Sequence, residues 1–339
     1  MDLRVEATRG DLVESAHRVS AAVVDAAGGL VAGAGDPRLV TYWRSAAKPF
    51  QAMPVVADGA LARWGFSPAD LALCCASHSS EPIHLELVGG MLAKIGCTEE
   101  DLACGPHPPL SPQVAEAVLR AGTTLTPRWS NCSGKHTGML GLARHHGWPT
   151  GGYARAGHPV QRRILESVLQ WTGLGQSEVA LGVDGCTTVC FAVPLQAMAA
   201  AYARLAVSAD PAAVAVRSAM LDHPELIAGA GRLCTDLMAG FPGRVLAKLG
   251  ADGVYCAAVP EAGLGVALKI EDGDSRSAAL ALLAILAQLS GQGCAGPDFT
   301  SLPASVARHA EQPLVNTRGE QTGRLRSAGR LRFGDGRRA

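Results

Sequence analysis

The sequence predicts an α+β fold: an antiparallel sheet built from both chain termini, with a large helical insertion between them. Three observations carry this. Valine-rich segments broken by turns occupy the first 34 residues, helix-opening caps recur from Ser45 to about residue 240, and the strand pattern returns after Arg244. Strands grouped apart from helices argue against alternating βαβ units, and strand groups at opposite ends of one chain argue for a shared sheet. The expected division is residues 1–44 with 241–332 as a discontinuous sheet domain, 45–240 as a helical region carrying most site residues, and 333–339 as a frayed polar tail.

The elements follow in chain order. Arg18 to Asp25 is rich in valine, Ala26–Gly29 is a turn, and Leu30–Ala32 resumes a strand. Ser67-Pro68-Ala69-Asp70 is a capping box with proline at the first helical position, and Thr98-Glu99-Glu100-Asp101 is a second box. Ser111-Pro112 and His158-Pro159 open two further helices, and Pro194 to Leu205 forms another. Gly253–Val259 and Gly263–Ile270 read as strands separated by a Pro-Glu-Ala-Gly turn. A helix from about Ser277 to Leu289 and a strand or hairpin over roughly Leu314–Leu331 complete the chain.

At 339 residues the chain is typical of two structural parts, at roughly 100–200 residues per domain. Hydrophobic residues are 48% and charged residues 18%, the composition of an ordered globular protein that needs no disulfide or metal staple to fold. Thirty basic residues balance thirty acidic ones, which leaves no broad electrostatic footprint for nucleic acid or an anionic membrane. The longest apolar run, Ala278 to Ala287, has ten residues; a membrane span needs about 20. With no apolar leader at Met1–Glu6, the chain reads as cytoplasmic, where its ten cysteines stay reduced. No Cys-x-x-Cys pair is present, which argues against an ordinary zinc ribbon or finger.

Twenty-five of the thirty basic residues are Arg. The five lysines are Lys48, Lys94, Lys135, Lys248 and Lys269. Arg stays protonated in proteins whereas Lys can lose its proton, so a retained Lys is a candidate for chemistry; depletion of Lys by coding bias is the bland alternative.

Ser45 and Lys48 stand three apart where the first strands give way to the first helix, on one helical face. Pro49 has no N–H and is tolerable only in a first turn, which puts the helix start near Ser45; Pro54 implies a kink or a short helix. A serine hydroxyl is a poor nucleophile unless a base takes its proton. A lysine amine serves as that base only when uncharged, against a reference pKa of about 10.4, and burial or a neighbouring cation such as Arg44 favours that form. Ser at a helix N-cap is the ordinary reading of the same residues.

Three other clusters accompany it. Ala76-Ser77-His78-Ser79-Ser80-Glu81 lies between two helices and fits a loop feeding a pocket, or a Ser80 cap with His78 and Ser79 solvated. Asn131-Cys132-Ser133-Gly134-Lys135-His136-Thr137-Gly138 is the densest polar cluster, and Val183-Asp184-Gly185-Cys186 is a glycine turn carrying an acid and a thiol. Cys132 and Cys186 fit either a metal pair or two inert buried thiols; a lysine joining them as ligand must be uncharged. Lys248, in Lys-Leu-Gly-Ala, stands at a strand's end, where its amine either enters a cleft or caps a turn.

Together, Arg44-Ser45-Ala46-Ala47-Lys48-Pro49-Phe50-Gln51, Ala76-Ser77-His78-Ser79, Asn131-Cys132-Ser133-Gly134-Lys135-His136 and Val183-Asp184-Gly185-Cys186 resemble the asparaginase II family, the rhizobial-type class 3 bacterial L-asparaginases. The resemblance runs from about Val13 to Arg330. It implies a fold like that of serine β-lactamases and penicillin-binding proteins, a homodimer, and hydrolysis of L-asparagine. It implies Ser45 as nucleophile with Lys48 as its base, and Ser77 with Lys248 as a second Ser–Lys pair. It also implies zinc held by Cys132, Lys135 and Cys186, with His136 and Asp184 holding substrate and Arg44 beside them. An N–H just after Lys248, that of Ala251, would join the Ser45 N–H around an oxyanion. Ser80 departs from the family, which usually has Gly there. The rival readings are a glutaminase or other serine hydrolase of that fold, and a zinc-binding protein without activity.

Overall fold

Strands from the two ends of the chain pair into one antiparallel sheet, as expected. The structure is a computed structural model describing residues 1–294 and 296–334. Two compact units make up the chain. One comprises Met1–Ala46, Val193–Val207 and the described part of Asp236–Ala339; the other comprises Ala47–Ala192 and Ser208–Thr235.

In the sheet unit the organising element is the strand Leu12–Asp25. Its first half pairs with Arg4–Arg9, which pairs with Gln321–Ala328, which in turn pairs with Glu311–Val315. Its second half pairs on one side with Leu30–Ala34 and on the other with Leu264–Ile270, with Val19 opposite Ile270 and Asp25 opposite Leu264. Val254–Val259 and then Leu246–Leu249 extend the sheet. Val19 to Val24 are buried whereas residues 12–16 are exposed, so the first half lacks the apolar pattern that marks a strand, and only the second was legible.

Every residue of Val254–Val259 is buried. Successive strand residues face opposite sides, so both faces of the sheet are covered there. The helices Leu195–Val207 and Ser275–Gly291 both pack against it. The first is alanine-rich and comes so close that a Cβ on Gly265 would sit 1.9 Å from the Ala199 carbonyl. The expected frayed tail starts with two ordered residues: Phe333 pairs with Ala32, and the Gly334 N–H donates to Val31 O at 3.0 Å. Residues 335–339 of that tail lie outside the described residues.

In the helical unit most caps act as expected. Ser67 Oγ accepts from Asp70 N–H while Asp70 Oδ2 accepts from Ser67 N–H, opening Pro68–Cys74. Ser111 and His158 cap Pro112–Ala121 and Pro159–Thr172. Thr98 is a correction: its box closes only a 3-10 turn, Glu99–Asp101, because Gly105, Pro106, Pro108 and Pro109 follow at once and cannot continue a helix.

The first helix is also corrected in detail. A 3-10 turn spans Arg44–Ala47, and the α-helix runs Lys48–Ala57 with Pro49 in its first turn and Pro54 inside. Pro54 cannot donate to the carbonyl of Phe50. Ser167 Oγ donates to that carbonyl at 2.8 Å, and the rings of Phe50 and Trp171 pack 5.9 Å apart. The proline is thus accommodated by a hydroxyl from the Pro159–Thr172 helix. Among the described residues no helix is long and apolar enough to cross a membrane.

Candidate active site

In the sheet unit the turn carrying Ser45 is held by its neighbours. Arg44 adopts left-handed backbone angles (φ 53°) and so does Asp252 (φ 55°), and their side chains form an ion pair. Lys269 Nζ donates to the Asp252 carbonyl; burial lowers its pKa, with Arg44 adding to the effect against Asp252 and Asp272. A Cβ on Gly250 would lie 2.9 Å from the carbonyl of fully buried Trp43. Tyr202 donates its hydroxyl to Ala46 O at 2.7 Å. Lys248 is the third residue of the strand Leu246–Leu249, opposite Cys256, with no exposed surface, and its amine donates to Leu249 O at 2.9 Å. Ala251 lies in the turn that follows. The Ser45 segment and the residues after Lys248 are therefore joined through Trp43–Gly250 and Arg44–Asp252.

In the helical unit Lys48 is almost wholly buried. Its Nζ lies 2.5 Å from Ala76 O and 3.0 Å from Ser77 Oγ. The expected couples were Ser45 with Lys48 and Ser77 with Lys248; the structure adds a contact between Lys48 and Ser77. Residues 76–80 are all buried, which excludes the solvated reading of His78 and Ser79. His78 accepts the Ser80 N–H on Nδ1 at 3.2 Å, so its Nε2 donates to Ser133 Oγ at 2.9 Å. Burial, with His84 and Lys48 nearby, lowers the pKa of His78 and keeps the ring neutral.

Ser80 does not cap the next helix. Glu81 occupies that position, and its N–H donates to His84 Nδ1 at 3.1 Å. Ser80 has φ 58°, a conformation that costs glycine nothing and other residues about 1–2 kcal/mol. Its hydroxyl donates to Trp129 O at 2.8 Å and offsets that cost.

Residues 227–232 cradle this loop, and sequence reasoning missed them. Ser77 N–H donates to Ile227 O at 2.9 Å, Ser79 Oγ to Ala228 O at 2.7 Å, and Ala230 N–H to Glu81 Oε1 at 2.9 Å. Arg232 Nη1 reaches Ser77 O at 2.5 Å. The only local signal was an Ala-Gly-Ala-Gly run ending in Arg, which reads as a plain loop.

The third cluster builds on glycine. A Cβ on Gly134 would stand 2.4 Å from Leu73 O, and one on Gly138 2.8 Å from Cys74 Sγ. These glycines let the helix Ser133–His145 lie directly on Pro68–Cys74, the helix that leads into Ser77. Lys135 Nζ lies 3.0 Å from Cys186 Sγ and 2.7 Å from Thr188 Oγ1. Cys132 Sγ donates to Asn131 Oδ1 at 3.0 Å. The neighbouring Cys132 thiol, with Lys135, lowers the pKa of Cys186 despite burial, while Cys186 and burial raise that of Cys132. Burial opposes the Lys135 ammonium, yet Cys186 and Cys132 outweigh it and raise its pKa. His136 Nδ1 pairs with Tyr153 Oη at 2.6 Å, and its buried Nε2 has no hydrogen-bond partner among the described residues. Asp184 contributes its charge to Lys135 and holds the turn through Gly185 N–H at 2.8 Å.

This donor set fits zinc in kind once Lys135, held as an ammonium by the two thiols, gives up the proton that a metal ion would displace. A tetrahedral site with Zn–S of about 2.3 Å and Zn–N of about 2.0 Å has S···N edges of about 3.5 Å, against 3.0 Å between Lys135 and Cys186. Among the described residues no group of three or more His, Cys, Asp or Glu is arranged to hold a metal; here the third donor is a lysine, and His136 adds an orphaned nitrogen beside it.

Comparison with known proteins adds a family. Residues 5–327 match the L-asparaginase II family. No curated protein matches the chain. Solved structures with similarity include a β-lactamase from Mycobacterium bovis, 16% identical over 75% of this chain and 88% of that one, with a TM-score of 0.31. Another is an octameric penicillin-binding protein homologue from Pyrococcus abyssi, 14% identical over 80% of this chain and 73% of that one, with a TM-score of 0.35.

Proposed function

Because the chain belongs to the L-asparaginase II family, we propose that it hydrolyses the side-chain amide of L-asparagine to L-aspartate and ammonia. The single observation that supports a serine mechanism is the buried contact between Lys48 Nζ and Ser77 Oγ, three residues after Ser45 along one helical stretch.

In the proposed reaction Ser45 Oγ attacks the amide carbon and its proton passes to Lys48. An uncharged amine has two N–H donors and one lone pair. Ala76 O and Ser77 Oγ take the donors, which leaves the lone pair for the incoming proton. The negative oxygen formed on the amide faces the N–H groups of Ser45 and Ala251. When the C–N bond breaks, the nitrogen takes the proton back from Lys48 through Ser77, and ammonia leaves. Water then attacks the aspartyl ester by the same route in reverse, which frees aspartate and restores the Ser45 hydroxyl. Lys248 is proposed to relay protons in the same reaction. Arg44, His136 and Asp184 are proposed to hold the charged ends of the substrate.

Cys132, Lys135 and Cys186 are proposed to hold zinc. Two thiolates bring the ion near neutrality, so its contribution when bound is to orient the pocket rather than to activate water.

The test is ammonia release from L-asparagine and L-glutamine by the intact protein and by Ser45→Ala. Release from asparagine that disappears in Ser45→Ala, with the melting temperature kept within a few degrees, supports the reading. Turnover retained in Ser45→Ala removes Ser45 from the chemistry. A preference for glutamine makes the enzyme a glutaminase, and zinc bound with no amide hydrolysis favours a binding protein.

A further inference from the structure

Arg232 belongs to none of the motifs legible in the sequence, yet it grips the centre of the proposed machinery. Its Nη1 donates to Ser77 O at 2.5 Å, Ala228 O at 3.0 Å and Ser79 Oγ at 3.4 Å. The two peptide planes flanking Ser77 Cα are fully bonded. Ala76 O meets Lys48 Nζ at 2.5 Å and Ser77 N–H meets Ile227 O at 2.9 Å. Ser77 O meets Arg232, and His78 N–H meets Asn131 O at 3.2 Å. Two fixed planes fix the Cα–Cβ direction between them, and from that Cβ a χ1 rotamer places Ser77 Oγ 3.0 Å from Lys48 Nζ.

The segment that delivers Arg232 is shaped for this loop. Gly229 has φ 110°, and a Cβ there would lie 2.6 Å from Glu81 Oε1 and 2.9 Å from Ser79 Cβ. Its N–H is held by Thr235 Oγ1 at 3.2 Å, which donates to Pro224 O at 2.9 Å. The Nη1 that makes these contacts belongs to a planar guanidinium with fixed N–H directions, which a freely rotating lysine amine does not reproduce.

We propose that Arg232 is a positioning residue for the Lys48–Ser77 pair, acting on the reaction through the Ser77 peptide and not on the substrate. This rests on the reading that Lys48 and Ser77 carry the hydrolysis. Arg232 ties Ser77 O and Ser79 Oγ to Ala228 O, so its loss loosens the 77–79 loop on its cradle and lets Ser77 move with its hydroxyl off the amine. A displacement of about 1 Å costs on the order of 100-fold in rate.

The experiment measures ammonia release from L-asparagine by the full chain, by Ser77→Ala and by Arg232→Ala, with and without guanidinium chloride at non-denaturing concentration. Arg232→Ala is expected to lose about 30- to 100-fold in kcat with KM within about threefold, the pattern of a lost transition-state geometry. Guanidinium is expected to restore about tenfold of this, equal sodium chloride none, and neither is expected to rescue Ser77→Ala. Should Arg232→Ala fail to fold, Arg232→Lys takes its place, with an expected loss of at least about tenfold in kcat. An unchanged kcat in the folded variant, or a raised KM with kcat intact, overturns the inference while the loss in Ser77→Ala leaves the function standing. Full activity in Ser77→Ala overturns the function and the inference together.

Discussion

Lys48 and Ser77 stand 29 residues apart in sequence, and the amine of one lies 3.0 Å from the hydroxyl of the other with both side chains buried. A buried amine needs partners, and here the Ala76 carbonyl and the Ser77 hydroxyl are both supplied by the loop that leaves the Pro68–Cys74 helix. Ser77→Ala removes one partner and costs about 1 kcal/mol of stability. Lys48→Met leaves the Ala76 carbonyl without its donor, a cost of about 1–3 kcal/mol. Both variants are expected to lose about 10²- to 10⁴-fold in ammonia release, the range for removal of an acid–base group. Denaturant titration and steady-state assay check the two numbers; activity within threefold of wild type in Lys48→Met would show that this amine takes no part.

Ser80 combines a left-handed backbone with a hydrogen bond to Trp129 O. Ser80→Gly relieves the backbone and loses the bond, so the two effects nearly cancel, within about 1 kcal/mol. Ser80→Ala keeps the strained backbone and leaves the carbonyl unpaired, and is expected to be less stable than wild type by about 1–2 kcal/mol. The order Gly close to Ser, both above Ala, is read from urea midpoints. Alanine equal to serine would mean that the bond contributes nothing.

Gly134 and Gly90 both lie inside helices, and only one is crowded. A Cβ at Gly134 would strike Leu73 O at 2.4 Å, whereas one at Gly90 meets nothing within 4 Å. Gly90→Ala is therefore expected to gain about 0.5–1 kcal/mol from helix propensity. Gly134→Ala must push the two helices apart, at about 1–3 kcal/mol or more, and shifts Lys135 and the Ser77 loop together. Its activity should fall along with its melting temperature. A stable and fully active Gly134→Ala would contradict the close packing.

His78 in the buried loop stacks at 5.2 Å on His84 of the helix Pro82–Lys94, and burial lowers both their pKa values. The unfolded chain takes up protons on these rings below the ordinary value of 6.5, and the folded state refuses them. Stability is therefore greatest above about pH 6.5 and falls as pH drops below it, until the folded rings also protonate. Each such group contributes up to about 1.4 kcal/mol per pH unit in that window. Melting temperatures at pH 7.5 and pH 5 should show this slope, and His84→Asn should flatten it. An unaltered slope in that variant would assign the effect elsewhere.

Much of this molecule was written locally. Valine-rich segments at both ends, the Ser67, Ser111 and His158 caps, and the Ser45, Ser77, Cys132 and Asp184 motifs depend on neighbours within a few residues, and so could be read from the chain. The exposed half of Leu12–Asp25 could not, because it faces no core and carries no apolar alternation. The Thr98 box promised a helix where only a turn forms, since a cap specifies a start and the residues that follow decide whether anything continues. Pro54 became intelligible only when Ser167, 113 residues later, was found on the carbonyl it leaves bare.

Residue types made Ser45 with Lys48, Ser77 and Lys248 candidates, because a hydroxyl nucleophile requires a nearby base, and the resemblance to a family supplied their expected roles. Which amine meets which hydroxyl, and that Arg232 holds the loop in place, were decided by tertiary structure. Those contacts join segments 29 and 155 residues apart, and no periodicity or spacing in a linear chain encodes a hydrogen bond formed only after separate elements pack.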